Sequence, residues 1–170
     1  MTVGNPGQSV REDRAFYSAA SDPHLFPTDA FFGRQSELYA LRDAIDTTPS
    51  RLVTVVGPAG VGKTRLAPEA VRTADRRYSG GASIVRLAAI ERPDGIVPEI
   101  ARALGMVDQA EKLDGLVRET LAEEPAVLLL DCFEHLTPAA NDLIGGLLRD
   151  CPPLHIVLTS RRPSGLPGEH

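Results

Sequence analysis

The sequence predicts an α/β fold in which a parallel β-sheet lies between two layers of helices. Short apolar segments rich in β-branched residues alternate along the chain with longer segments of helical periodicity. A glycine-rich turn at residues 57–64 joins the first apolar segment to a helix-like stretch. The third apolar segment, residues 126–130, is continuous, as expected of a strand buried on both faces. We therefore expect a three-layer α/β/α domain over residues 29–170.

The composition and charge of the chain argue against several classes of function. The chain has 170 residues, 42% of them hydrophobic, which is enough for one domain with a core. Its net charge of −5 argues against direct nucleic-acid binding by this segment. Residues 1–10 lack the pattern of a secretory signal, and no apolar run is long enough to span a bilayer. We expect a cytoplasmic protein without membrane contact.

The first elements are a tail, a helix and a strand. Residues 1–28 carry Gly, Pro, Ser and mixed charge without a sustained period, so they are predicted to be a flexible tail. A helix follows, because Leu38, Leu41 and Ile45 fall on one helical face. The first strand is expected at residues 51–56.

The helix after the glycine-rich turn, predicted at residues 62–77, contains Pro68. Proline has no N–H, so the Thr64 carbonyl would lose its intrahelical partner. We therefore expect a kink or a displaced first turn in this helix.

The middle of the chain continues the alternation. A second strand is expected at residues 83–88, after a Gly-Gly break, and a helix at residues 94–105 that ends at a glycine. Apolar residues at helical spacing predict another helix over residues 113–121, which must end before Pro125.

The last two strands flank a helix. The third strand covers residues 126–130. Thr137 and Pro138 have the residue types favoured at the N-cap and first position of a helix, so we expect the final helix to begin there. The last strand is expected at residues 155–159.

Residues 57–64, GPAGVGKT, match the phosphate-binding P-loop, G-x-x-x-x-G-K-[ST]. Gly57, Gly60 and Gly62 would let the backbone adopt positive φ and curl its N–H groups around an anion, and the following helix adds the positive end of its dipole. Lys63 would neutralise the β- and γ-phosphates, and the Thr64 hydroxyl would bind Mg²⁺. The nucleotide-binding residues predicted from this stretch are Gly57, Pro58, Ala59, Gly60, Val61, Gly62, Lys63, Thr64 and Arg65.

A second half of the site is expected where the third strand ends. Asp131 follows this strand directly and is predicted to be the second Mg²⁺ ligand, as in a Walker B strand; its alternative role is that of a turn or cap residue. Glu134 has two interpretations that remain open. It could polarise an attacking water, or it could only favour the dipole of the next helix.

Arg161 follows the last strand. The carboxyl ends of parallel strands face one crevice, so this cation could reach a γ-phosphate. A solvated arginine is the alternative. The predicted catalytic set is Lys63, Asp131, Glu134 and Arg161.

The order of five motifs resembles one known family. They are FGRQSEL at residues 32–38, the P-loop at residues 57–64, DCFEHL at residues 131–136, TSR at residues 159–161 and PGE at residues 167–169. They are similar to the GRxxEL entry motif, P-loop, DNxEHL segment, TSR sensor and following xGE of STAND/NB-ARC P-loop ATPases. The resemblance is strongest to the nucleotide domain of AfsR- and LuxR-type bacterial transcriptional regulators.

This resemblance implies an ATP/ADP–Mg²⁺ switch that is at most a slow ATPase. It places Phe32 and Arg34 near the adenine and Arg161 near the γ-phosphate, and we expect the strand order 1-4-3-2. In the family a helical lid and a winged-helix domain follow, DNA binding lies in another domain, and partners are other domains or proteins, with oligomerisation possible in the full-length regulator.

The sequence departs from the family pattern at three points, of which Pro68 and the missing lid favour a runner-up. Cys132 stands where the family has Asn, Pro68 interrupts the P-loop helix, and the sequence is expected to end before the fifth strand and the lid. The runner-up is a truncated, non-hydrolysing nucleotide-binding or protein-interaction module.

Overall fold

The computed structural model describes residues 33–47, 49–74, 77–106 and 112–170. The tail predicted at residues 1–28 and Phe32 lie outside these ranges. The helices and strands are α1 (Gln35–Thr47), β1 (Leu52–Val56), α2 (Lys63–Ala74), β2 (Ala82–Arg86), α3 (Ile96–Ala103), α4 (Leu113–Glu123), β3 (Ala126–Asp131), α5 (Asn141–Asp150) and β4 (Leu154–Ser160). Short 3₁₀ turns occupy Pro93–Gly95 and Phe133–His135.

The four strands form one parallel sheet in the order β1-β4-β3-β2. The predicted order 1-4-3-2 is therefore confirmed. The register pairs Val56 with Ser160 and Arg86 with Asp131, so all four strands end at the same edge. The P-loop and the residues that follow β3 and β4 are gathered at this edge.

Two apolar clusters cover the two faces of the sheet. Alternate residues of β3 separate between them: Leu128 and Leu130 pack with helices α3, α4 and α5, whereas Val127 and Leu129 pack with α1 and α2. The three-layer α/β/α fold is confirmed. None of the helices in the described ranges is long and apolar enough to cross a membrane.

The helices of the second face show one agreement and one difference. In α1 the predicted face of Leu38, Leu41 and Ile45 is buried. Of the two predicted effects of Pro68, a kink or a displaced first turn, the displacement is not observed: helix α2 begins at Lys63 and continues through Pro68. Leu66, at the first turn, still donates its N–H to Gly62 O at 2.9 Å. Burial of this part of α2 against the sheet offsets the bond that proline cannot make.

The start of the final helix was predicted wrongly. Helix α5 begins at Asn141 rather than at Thr137-Pro138. The Pro138 carbonyl instead accepts the N–H of Asn141 at 2.9 Å, in a turn that precedes the helix. Burial of Phe133 and Leu136 fixes this turn, so a tertiary contact overrides the local capping pattern.

After β4 the chain returns to the far side of β1. His170 donates its N–H to Leu52 O at 3.0 Å, and its carbonyl accepts the Thr54 N–H at 2.9 Å. Leu52 and Glu169 form a parallel bridge. The Glu169 carboxylate closes the preceding turn by accepting the N–H groups of Ser164 and Gly165 at 2.8 and 2.9 Å. The expectation that no part of a fifth strand is present therefore needs correction: a single bridge occupies that position.

Candidate functional site

The glycine-rich loop between β1 and α2 has a backbone conformation that depends on glycine at particular positions. Gly60 and Gly62 have φ values of +75° and +91°, which L-residues with a side chain rarely adopt. At Gly57, whose φ is not positive, a Cβ atom would lie 3.0 Å from Val61 Cγ1, so a larger residue there would require the Val61 side chain to shift. Gly57 donates its N–H to Ser160 O at 3.2 Å, which fixes the start of the loop against β4.

Lys63 lies at the centre of the site. Its Nζ atom donates to Gly57 O at 2.8 Å and to Pro58 O at 3.0 Å, so the ammonium holds the loop in its curled form. Lys63 also lines two cavities, one on each side of the loop. An anion that binds the loop would therefore meet the ammonium from either cavity.

The first of these, the carboxylate cavity, has a volume of about 540 Å³. It lies between the loop and the ends of β2 and β3, and its lining includes Thr64, Arg65, Arg86, Asp131 and Cys132. The second, the apolar cavity, has a volume of about 590 Å³ and lies between the loop, α1 and β1. Its lining includes Arg34, Leu41, Val53, Val55, Pro58 and His170.

The two predicted Mg²⁺ ligands are neighbours. Asp131 ends β3, is 4% exposed, and accepts a hydrogen bond from Thr64 Oγ1 at 3.2 Å on its Oδ1 atom. Thr64 is at the start of α2, which covers the sheet face toward which Asp131 points. A hydroxyl and a carboxylate are hard oxygen donors of the kind that Mg²⁺ prefers, so these residues fit that ion.

A second threonine also touches this carboxylate. The Thr159 hydroxyl on β4 donates to Asp131 Oδ1 and accepts the Cys132 N–H at 2.9 Å. Thr159 had no predicted role of its own. The alternation of side chains along the strand could have identified this residue. Thr159 shares a face with Val157 and is buried at the end of the strand, where an apolar residue would be expected.

Cys132, at the position where the resemblance expects asparagine, lies next to Asp131. Its backbone is left-handed, with φ of +65°, and its Sγ atom lies 3.8 Å from Asp131 Oδ2. Burial, with the negative charges of Asp131 and Glu134, raises the pKa of the Cys132 thiol. The thiol therefore stays protonated at neutral pH and is a weak nucleophile.

Glu134 and Arg161 form an ion pair. Arg161 Nε donates to Glu134 Oε1 at 2.9 Å, with side-chain exposures of 60% for Arg161 and 16% for Glu134. The other carboxylate oxygen of Glu134 is buried and has no hydrogen-bond partner among the described residues. Glu134 belongs to the turn Phe133–His135, and α5 begins only at Asn141, which speaks against its role at the dipole of that helix.

Arg34 contacts the glycine-rich loop directly. Its guanidinium donates to Val61 O, and its Nη1 atom would lie 3.4 Å from a Cβ atom at Gly62. It also lines the apolar cavity, on the side of the loop where the resemblance expects the adenine. Phe32, the other residue expected there, lies outside the described residues.

Arg86 is a further residue that the sequence analysis did not identify. It ends β2, directly opposite Asp131 in the register, and lines the carboxylate cavity. The strand was predicted to end at residue 88, which would place Arg86 inside the strand. It in fact ends at Arg86, at the edge where the other site residues lie.

Comparison with protein families gives one match that covers most of the chain. The profile of the family described as "AAA ATPase domain" matches residues 30–159. This stretch contains the glycine-rich loop, Asp131, Glu134 and Thr159.

Two mycobacterial relatives are similar in sequence. The "Putative HTH-type transcriptional regulator Rv0890c" of Mycobacterium tuberculosis (strain ATCC 25618 / H37Rv) is 39% identical over 122 residues, which are 71% of this chain and 14% of that protein. The "Uncharacterized protein Rv0894" of the same strain is 35% identical over 142 residues, 82% of this chain and 35% of that protein. The chain thus spans about a third or less of the length of these relatives.

Solved structures with the same fold include two archaeal proteins. Cdc6p of Pyrobaculum aerophilum superposes with a TM-score of 0.64 at 18% identity, covering 86% of this chain and 45% of that one. ORC2 of Aeropyrum pernix, solved as ADPNP–ADP complexes, gives a TM-score of 0.57 at 16% identity, covering 83% and 44%. At these identities the likeness concerns the fold.

Proposed function

The chain belongs to the AAA ATPase domain family, and from this premise we propose that it is an ATP/ADP–Mg²⁺-dependent switch module of a bacterial signalling or transcription regulator. The observation that carries the proposal is the approach of Thr64 Oγ1 to Asp131 Oδ1, at 3.2 Å, beside the Lys63 ammonium. The relative named as an HTH-type transcriptional regulator supports the regulator context. The order of motifs supports a STAND/NB-ARC type of switch.

Each part of a nucleotide has a candidate partner in the site. The loop N–H groups and Lys63 would hold the phosphates, and Thr64 and Asp131 would hold Mg²⁺, which neutralises phosphate charge when bound. The base would enter the apolar cavity, where Leu41 and Val53 offer apolar surface. Arg34, at the wall between loop and cavity, would face the sugar or the base.

Slow hydrolysis is the expected activity because Glu134 is engaged. Its Oε1 atom accepts the Arg161 Nε–H at 2.9 Å, so a water that attacks the phosphate would have to compete with Arg161 for this oxygen. Arg161 therefore restrains Glu134 until another anion competes for the guanidinium. The γ-phosphate of ATP is such an anion, whereas ADP has no γ-phosphate. We therefore propose that the Glu134–Arg161 ion pair separates when ATP binds and is formed when ADP is bound.

A second candidate function is a binding module that does not hydrolyse ATP. The observation that favours it is the same Glu134–Arg161 ion pair, because a permanently closed pair would leave no base for water. Single-turnover hydrolysis of ATP with enzyme in excess separates the candidates. Measurable phosphate release supports the switch, and bound but intact ATP supports the binding module.

Calorimetric titration of Mg²⁺–ADP tests nucleotide binding itself. Lys63→Ala removes a charge-assisted contact to phosphate, which is worth about 1.5–3 kcal/mol, or roughly tenfold to hundredfold in affinity. The matched control is Lys112→Ala, which removes the chain's other lysine at the start of α4 and away from both cavities. Equal affinities of the wild type, Lys63→Ala and Lys112→Ala would refute the proposed site.

A further inference from the structure

We propose that Thr159 is a positioning residue that orients the Asp131 carboxylate for Mg²⁺ and links it to the turn that carries Glu134. The inference rests on the proposed nucleotide–Mg²⁺ function and extends it to a residue on a different strand. Thr159 is 1% exposed and lies in β4, next to β3 in the sheet.

The direction of the hydrogen bonds at Thr159 is fixed by chemistry. The Cys132 backbone N–H can only donate, so at 2.9 Å it uses a lone pair of Thr159 Oγ1. The single hydroxyl proton of Thr159 is then free to point at Asp131 Oδ1. An ionised carboxylate can only accept, so this second bond has only one possible direction.

These bonds distinguish the two oxygens of Asp131. Oδ1 accepts from both Thr159 and Thr64. Within the described part of the chain, the Cys132 thiol, which is a weak donor, lies 3.8 Å from Oδ2. Oδ2 thus keeps lone pairs that can bind a cation. The hydrogen bond from Thr159 to Oδ1 meanwhile fixes the orientation of the carboxylate.

The same hydroxyl stabilises the strained turn after β3. Cys132 has φ of +65°, which is uncommon for a residue with a side chain, and Thr159 accepts its N–H. The chain then enters the turn Phe133–His135, which contains Glu134, and β4 ends at Ser160, directly before Arg161. One buried hydroxyl therefore contacts both the Asp131 carboxylate and the backbone that leads into the turn of Glu134.

A purely structural role would predict a different residue. The preceding positions of β4, Ile156, Val157 and Leu158, are buried and apolar. A hydroxyl at such a position costs free energy unless it is hydrogen-bonded, and valine has nearly the same shape. The Thr159 hydroxyl instead uses its donor and its acceptor on the two groups that it contacts.

The test compares nucleotide affinity with and without the metal. ADP is titrated by calorimetry into wild type, Thr159→Val and Thr159→Ser, once with Mg²⁺ and once with EDTA. The outer partners of metal ligands typically contribute about tenfold to hundredfold to metal affinity. We expect Thr159→Val to reduce the Mg²⁺-dependent gain in ADP affinity by about that factor, with the EDTA value within about twofold of wild type. Thr159→Ser, which keeps the hydroxyl, should restore most of the gain.

The outcomes separate this inference from the proposed function. A full Mg²⁺-dependent gain in Thr159→Val, or an equal loss in Thr159→Ser and Thr159→Val, overturns the role of the Thr159 hydroxyl. A wild type that binds ADP equally well with and without Mg²⁺, or not at all, overturns the proposed function instead. Should Thr159→Val not fold, Cys132→Gly, which removes the strain at φ +65°, is compared with Cys132→Gly/Thr159→Ala by the same titrations.

Discussion

Arg161 Nε lies 2.9 Å from Glu134 Oε1, so the two side chains at the sheet edge with candidate roles in catalysis and sensing neutralise each other. Glu134 is largely buried and Arg161 is largely exposed. Because the Arg161 guanidinium is largely exposed, a ligand anion can reach it from solvent and compete with Glu134 for it.

The first prediction concerns discrimination between ATP and ADP. Arg161→Ala should weaken binding of a non-hydrolysable ATP analogue by about 1.5–3 kcal/mol, because a charge-assisted contact to the γ-phosphate is lost, and leave ADP affinity nearly unchanged. Calorimetry at one salt concentration measures both. The neighbouring exposed arginine supplies the control, Arg162→Ala, which should change neither. Equal losses for both ligands in Arg161→Ala would assign Arg161 a general structural role.

The second prediction concerns the carboxylate of the pair. If Glu134 polarises water, Glu134→Gln should lower the single-turnover rate of ATP hydrolysis by about 10²–10⁴-fold without weakening nucleotide binding. Wild-type turnover should itself lie far below the ~10 s⁻¹ that is typical of enzymes. Glu124→Gln, at the exposed end of α4, is the matched control. Unchanged hydrolysis in Glu134→Gln would show that Glu134 does not polarise water, and its remaining role would be the ion pair with Arg161.

The third prediction concerns pH. Burial lowers the pKa of His155, more than the Pro153 carbonyl raises it. The unfolded chain, with a histidine pKa near ~6.5, then binds the proton more readily than the folded one. This contribution to stability is present above pH ~6.5 and is lost as pH falls from there through the lowered folded-state pKa. The urea midpoint should drop between pH 7.5 and 5.5, and His155→Gln should show a smaller drop. An identical pH dependence in both proteins would contradict this origin.

The fourth prediction concerns nucleic acid. With a net charge of −5, the segment should not bind DNA sequence-selectively. A gel shift with competitor DNA at two salt concentrations measures this. Selective, salt-dependent retardation would show a recognition surface that the overall charge conceals.

The sequence was most informative where local chemistry determines conformation. The P-loop pattern predicts positive φ at Gly57, Gly60 and Gly62, and the structure has it at Gly60 and Gly62 but not at Gly57. The face of Leu38, Leu41 and Ile45 needs only helical spacing, and the structure buries it as predicted. The order of the strands was predicted from a resemblance, and the register that aligns their ends agrees with it.

The features that escaped prediction depend on contacts between distant segments. Thr137-Pro138 has good capping residues, but burial of Phe133 decides where α5 can begin. The bond from Thr159 to Asp131 depends on the register of β3 against β4, which the sequence does not specify locally. The Glu134–Arg161 ion pair likewise joins residues that follow different strands.

The return of the chain to β1 has a consequence for self-association. Strands at the edge of a sheet present unpaired backbone groups that can recruit another chain into a shared sheet. The bonds from His170 to Leu52 and Thr54 occupy such groups on the outer side of β1, beside the apolar Val53. The bridge at Glu169 therefore protects this edge of the sheet against aggregation by strand addition.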